Sequence, residues 1–270
     1  MRPPTIVAVL MYHSVAATTT TAFANLTVDP VLFAEHIAML REQALDVIPF
    51  SEVPGALAMG RSAVAISIDD GLADAAGEAA PVLLAHGLPA TLFVPTGFVG
   101  GTSRWLRGED GNRAMVSWSD LEELARAGFE IGSHGHGHLA ADVNPSDMVR
   151  RDAAESRIEI EDHLGIGVTS FAYPFGYHTA GARRAIREAG FGQACAVGDL
   201  AACVDDDRWA LPRLAVTPET TSEALLAMVS RSPSRAARGW SRAKRSAWAA
   251  GRRCGACGPP ESRRGQGMLV

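Results

Sequence analysis

Ala63-Val64-Ala65-Ile66-Ser67-Ile68-Asp69-Asp70-Gly71 carries a short apolar run straight into two carboxylates and a glycine. A run of this length that stops at turn chemistry reads as a buried strand. After it comes a helical pattern over 73–86, then another apolar run over 90–94. The same unit recurs outward in both directions. Strands are predicted over 6–11, 46–49, 63–68, 90–94, 129–132, 168–173, 191–197 and 213–216. Helices are predicted over 30–43, 73–86, 119–127, 146–164, 179–189 and 220–229. In the first helix Leu32, Phe33, Ile37 and Leu40 recur at three- and four-residue spacing, the mark of one buried face. Alternating strands and helices favour parallel strands joined by crossovers. The chain holds no G-x-G-x-x-G or Walker A loop, so a closed α/β barrel is preferred to an open nucleotide-binding sheet. In either architecture functional groups belong at the C-terminal ends of strands.

The 270 residues are 47% hydrophobic and 20% charged, which excludes a largely disordered chain, a collagen-like repeat and a polytopic membrane protein. The net charge of −5 is unevenly spread. Residues 231–270 hold ten Lys/Arg and one acid, Glu261. The rest of the chain holds 15 basic and 29 acidic side chains. The expected organisation is therefore a single catalytic domain over 1–230 and a basic, flexible extension over 231–270. Trp240 and Trp248 among the arginines open a peripheral membrane contact through that extension as a minor alternative. No transmembrane segment and no nucleic-acid partner are expected. The apolar run 6–11 falls far short of the ~20 residues a span needs. The default location is the cytoplasm, with the cell surface or exterior as the alternative if the start lies upstream. Cys195, Cys203, Cys254 and Cys257 are read as free thiols, since one C-x-x-C without further ligands is weak grounds for zinc.

Chemistry collects where strands end. Adjacent carboxylates Asp69 and Asp70 repel and resist desolvation unless a cation compensates them. Ser133-His134-Gly135-His136-Gly137-His138 sets three imidazoles after a strand, with glycines that argue against a helix. Neutral imidazole is a common metal ligand, and two His with one carboxylate leave open positions for chemistry. A surface histidine loop is the bland alternative. His13 closes the first strand, Phe171-Ala172-Tyr173-Pro174-Phe175-Gly176 closes another, and Arg213 sits in Leu211-Pro212-Arg213-Leu214. Each of these, taken alone, is ordinary packing or surface charge. A divalent ion held by Asp70, His134 and His138 would acidify a water and polarise a carbonyl. Asp69 beside it would take the water's proton, and a histidine across the site would protonate the leaving group. That set hydrolyses amides or esters.

From residue 6 to 229 the chain resembles the polysaccharide deacetylases of carbohydrate esterase family 4, the NodB-homology group. Ser67 to Gly71 is similar to the family's T-F-D-D-G. His134 to His138 is similar to H-[ST]-x-x-H, with Gly135 where the family has Ser or Thr. The resemblance implies Asp69 as general base and Asp70, His134 and His138 as ligands to a divalent metal. Zinc is the expected ion, with cobalt, manganese or nickel as alternatives. His136 is left without a role. Residues 171–176 correspond to the third motif, whose base-tethering arginine is replaced by Ala172. A Leu-Pro-Arg in one branch of the family nominates Arg213 for that task. The late L-x-H motif is missing, and the branch that opens on a similar first strand nominates His13 as the acid. The Phe175 amide would hold the oxyanion, with Tyr173 as a further substrate contact. The implied fold is a distorted, incomplete (β/α) barrel. The implied activity is removal of N-acetyl groups from an amino-sugar oligo- or polysaccharide or glycoconjugate. The alternatives are a non-catalytic carbohydrate-binding protein on the same fold and a deacylase of a non-sugar amide or ester.

Overall fold

The computed structural model describes residues 5–20, 23–234, 236–239 and 251–252. Among the described residues the ten strands are β1 (Val7–Tyr12), β2 (Ser14–Val15), β3 (Thr27–Val28), β4 (Val47–Ile48), β5 (Ala63–Ile68), β6 (Thr91–Val94), β7 (Glu130–Ser133), β8 (Ser170–Ala172), β9 (Gln193–Val197) and β10 (Leu211–Ala215). The helices are α1 (Pro30–Glu42), α2 (Val53–Ala58), α3 (Ala80–Ala85), α4 (Trp118–Arg126), α5 (Ser146–Leu164), α6 (Ala180–Glu188) and α7 (Ser222–Ser230). Local signals explain the helix starts. Asp29 caps α1 through the Val31 amide ahead of Pro30, and Ser117 with Asp120 forms a reciprocal capping box on α4.

Seven strands form a parallel barrel in the order β1-β5-β6-β7-β8-β9-β10, closed by pairing of β10 with β1. That is one strand short of the eight of a full barrel. The closure is uneven. β1 and β5 pair along their whole length, Val7↔Ala63 to Tyr12↔Ile68, whereas β7 and β8 meet only at Ser133↔Phe171. β4 is a two-residue wedge that pairs with the early part of β5, while β6 pairs with its end. β2 and β3 pair separately just beyond the end of β1.

Alternation along the strands sorts the side chains. One buried cluster includes Val7, Val9, Ala63, Ala65, Phe93, Ala172, Cys195 and Leu211 from the strands. These fill the barrel interior, with Val53, Ala56 and Leu57 of α2 packed against them. The opposite parity, with Ala8, Leu10, Val64, Ile66 and Ile68, packs against α1, α3, α5 and the other outer helices. Continuing the inner parity upward replaces apolar residues by Ser67 and Asp69 on β5 and by Arg213 on β10. The barrel is therefore an apolar plug below and a polar floor above.

Several expectations need adjusting. The single helix over 73–86 is a π-helical turn at Ala75–Ala79 followed by α3, in keeping with Pro81, which lacks the N–H an unbroken α-helix would use. Arg213 lies in the middle of β10 and does not begin it. No described helix is long and apolar enough to cross a membrane. The expectations for Trp240, Trp248, Cys254, Cys257 and most of 231–270 fall outside the described residues. Two residues that are described do not behave as a solvated extension. Arg238 donates to Asp206 and to the Ala201 carbonyl, and Arg252 is buried against Asp142.

Candidate active site

β5 delivers Asp69 and Asp70 at the barrel mouth, beside β1. Asp69 keeps the inward parity of Ser67 and meets Arg213, 144 residues away, in a two-pronged ion pair. Arg213 Nη1 donates to Asp69 Oδ1 at 2.6 Å and Nη2 donates to Oδ2 at 2.6 Å. Nη1 also lies 3.2 Å from Ser67 Oγ, and the guanidinium sits over the Phe93 ring. Both partners are buried, with side-chain exposures of 1% and 3%. Burial pushes the Asp69 carboxyl up, but the Arg213 charge and hydrogen bonds more than reverse this and keep it below the ordinary range. The carboxylate stays ionised, and each oxygen retains a lone pair for a further partner.

Asp70 breaks the strand alternation with a left-handed backbone, φ 71°. His138 and Phe175 share this conformation, at φ 52° and 62°. Among the described residues only Ala44 and Asp199 are other non-glycine examples. Such backbones cost roughly 1–3 kcal/mol each and concentrate where side-chain direction matters. Here the turns bring Asp70 Oδ1 within 3.4 Å of His134 Nε2 and 3.2 Å of His138 Nε2. Donors bound at about 2.0–2.2 Å around one tetrahedral ion stand a little over 3 Å apart, so these three atoms fit a shared divalent cation. His134 Nδ1 lies 2.8 Å from the Ala172 carbonyl oxygen, which fixes the ring with Nε2 turned to the site. Burial pushes the Asp70 carboxyl up. Hydrogen bonds from His134 and His138 overcome this and hold it well below the usual range. Burial pushes the His138 imidazole down, which keeps it neutral and able to ligate.

His13 follows β1 and is part exposed, with its Nδ1 buried. Burial lowers its pKa, and the charges of Asp70 and Asp69 pull it back up. Phe175 packs edge-on against His138, ring centroids 4.9 Å apart. Tyr173 does not reach this pocket. Its side chain is buried between sheet and helices beside Phe171, and its hydroxyl donates to the Trp209 carbonyl at 2.9 Å. Alternation sends it to the outer layer, away from the pocket where a substrate contact was expected.

Two parts of the site were not foreseen. The Trp105 ring lies 4.7 Å from that of His138, tilted by 31°, and Phe98 packs edge-on against Trp105. The loop carrying Trp105 is tied down by Arg113, which donates to Asp74 and Ser14. Arg252 sits over the Phe175 and Tyr177 rings and pairs with Asp142, with side-chain exposures of 3% and 0%. Nothing in the local sequence around Trp105 or Arg252 marks them, because each acts through a contact remote in the chain.

The constellation of base-like carboxylate, arginine tether and three convergent donors sits on a fold shared with known proteins, and the profile of the polysaccharide deacetylases matches residues 57–194. The chain belongs to the polysaccharide deacetylase family. The Bacillus subtilis protein YxkH is 24% identical over 230 residues, covering 84% of this chain and 77% of that one. The Streptococcus pyogenes deacetylase PplD, solved with acetate, shares the fold with a TM-score of 0.75 at 22% identity, over 84% of this chain and 99% of its own. IcaB from Ammonifex degensii does so at 0.71 and 23%, over 84% and 98%. Within this polysaccharide deacetylase, Gly135 has a local reason to be glycine. Its φ is 78°, and a Cβ there would lie 2.3 Å from Asp152 Oδ2, which is engaged with the loop backbone.

Proposed function

We propose that this deacetylase removes N-acetyl groups from an amino-sugar oligo- or polysaccharide or glycoconjugate, with Asp69 as base and a divalent ion, zinc first among candidates, at Asp70, His134 and His138. The observation that carries the reading is the ionised Asp69, locked by Arg213, immediately beside three convergent donors at the barrel mouth. The ion, when bound, supplies a Lewis acid that polarises the acyl carbonyl and makes water more acidic. Asp69 accepts the proton of the attacking water through the lone pairs that Arg213 leaves free. Arg213 keeps that carboxylate fixed and charged until the proton arrives. The Phe175 N–H, on a backbone held at φ 62°, donates to the developing oxyanion. His13, kept neutral at rest by burial, would relay to the departing nitrogen the proton that Asp69 took from the water. The C–O bond forms first, with the carbonyl π pair moving onto the oxyanion; when that pair returns, the C–N bond breaks and its electrons leave with the protonated nitrogen. The water oxygen ends in acetate, and its proton balance is completed on the freed amine.

Acetate release from N-acetylglucosamine oligomers tests this reading. Turnover is expected with the metal-loaded protein, loss on chelation, and loss in Asp69→Asn with metal binding retained. Undiminished turnover in Asp69→Asn would remove Asp69 as the base. No acetate from any N-acetylated sugar, alongside release from a simple ester or non-sugar amide, would move the substrate class.

A further inference from the structure

We propose that His136, Glu155 and Glu159 form a second divalent-cation site, separate from the one at Asp70, that pins the histidine loop to α5. His136 has no part in the proposed chemistry, yet it stands between the two histidine ligands in the chain. Its backbone is fixed from α5: Asp152 Oδ2 accepts its N–H at 3.1 Å, and Asp152 Oδ1 accepts the Gly137 N–H at 2.6 Å. So clamped, the imidazole turns away from the pocket toward the α5 face that carries Glu155 and Glu159, four residues apart and therefore on one side of the helix.

One ligand atom from each of His136, Glu155 and Glu159 lies within 4.8 Å of the others. His136 Nδ1 is 2.9 Å from Glu159 Oε2 and 3.1 Å from Thr96 Oγ1. Glu155 Oε1 lies 3.9 Å from the other ring nitrogen, Nε2, so an ion held by one nitrogen would draw in the second carboxylate by rotation of its exposed side chain. One imidazole and two carboxylates suit zinc, manganese or a similar borderline ion. The side chains are 33%, 58% and 36% exposed, which leaves room for water to complete the coordination. Two carboxylates face this one imidazole, with Asp152 adjoining, and a divalent ion would offset their charge. The consequence is structural. The ion would tie the short loop from His134 to His138 onto a rigid 19-residue helix and so hold both histidines in register.

The test counts ions on the full-length protein and does not rest on catalysis. After equilibration with zinc and removal of the excess, elemental analysis is expected to find two ions per chain. Glu155→Gln/Glu159→Gln should hold one, and so should Asp70→Asn/His134→Asn. The combined variant should hold none. Circular dichroism checks that each is folded, and His136→Ala gives an independent route to the one-ion state. In Asp70→Asn/His134→Asn, zinc should still raise the melting temperature, and adding the two glutamine changes should abolish that rise. One ion on the wild type, unchanged by Glu155→Gln/Glu159→Gln or by His136→Ala, would overturn the proposal.

Discussion

Replacing Arg213 by Gln strands a carboxylate at the centre of the molecule. Asp69 would lose both 2.6 Å bonds, and at 3% side-chain exposure it has little water to replace them. Removing one partner of a buried pair costs ~3–5 kcal/mol, a large part of the ~5–15 kcal/mol that holds a typical domain. With a urea dependence of about 3 kcal/mol per molar, the unfolding midpoint should fall by roughly 1–1.7 M. Asp69→Asn should also destabilise by stranding the guanidinium, and the double variant should be well above the sum of the singles, with a coupling of about 2 kcal/mol or more. The pH dependence has a definite sign. In the wild type the Asp69 pKa lies below its ordinary value, so its contribution is complete above the unfolded pKa and is lost only as pH falls through the folded one. In Arg213→Gln the largest lowering influence is gone and only the weaker ones of His134 and His13 oppose burial, so that pKa rises and the variant loses stability as pH rises from the unfolded value to the new folded one. The gap between wild type and variant should widen from about pH 4 to 7, measured with chelator present. Additivity of the two singles within about 0.5 kcal/mol, or a gap independent of pH, would refute the reasoning.

Zinc at 100 times its dissociation constant should stabilise the fold by about 2.7 kcal/mol, a rise of roughly 5–10 °C in Tm. Asp70→Asn should remove the share of that response due to the ion at Asp70, His134 and His138 in a thermal melt, leaving the rise contributed at His136, Glu155 and Glu159. Gly176→Ala would set a Cβ 2.2 Å from Val197 Cγ1 at φ 74°, so Tm should drop by at least about 4 °C. Val197→Ala in the same chain should recover only the steric part, and full recovery would show that the backbone angle costs nothing. Arg252→Ala should destabilise by about 3 kcal/mol because Asp142 is left buried without its charge partner. Truncation after residue 230 should do at least as much, where a solvated extension would leave urea unfolding unchanged.

Strands β1, β5, β6, β7 and β9 could be read within two residues from their apolar runs, since burial on both faces leaves an uninterrupted signal. Helix α5 was legible at both ends, from Ser146 to Leu164. The six-residue α2 was not, because Val53-Pro54-Gly55 carries no helical pattern and its role is to pack under the barrel. β2 and β3 are too short for any period. At the site, Asp69, Asp70, His134 and His138 announced themselves by residue type and spacing. Their convergence depends on positive φ at Asp70 and His138, which no side-chain pattern encodes. Tyr173 keeps the outer parity of Phe171, whereas Phe175, two residues on, reaches His138 because the chain has left β8 and turns there with φ 62°, which no side-chain pattern encodes. Trp105 and Arg252 owe their positions to tertiary contacts with Arg113 anchoring one loop and Asp142 receiving the other.

The 144-residue separation of Asp69 and Arg213 also sets an order of events during synthesis. As the chain leaves the ribosome, β5 emerges with its two acids long before β10 exists. Until the cation on β10 docks, closing the cylinder would bury an unneutralised carboxylate, so early strands gain little by sealing prematurely. Contacts of such long range slow folding. They also make the last inner strand decisive: a nascent chain cut short of residue 213 has neither a closed wall nor a balanced interior.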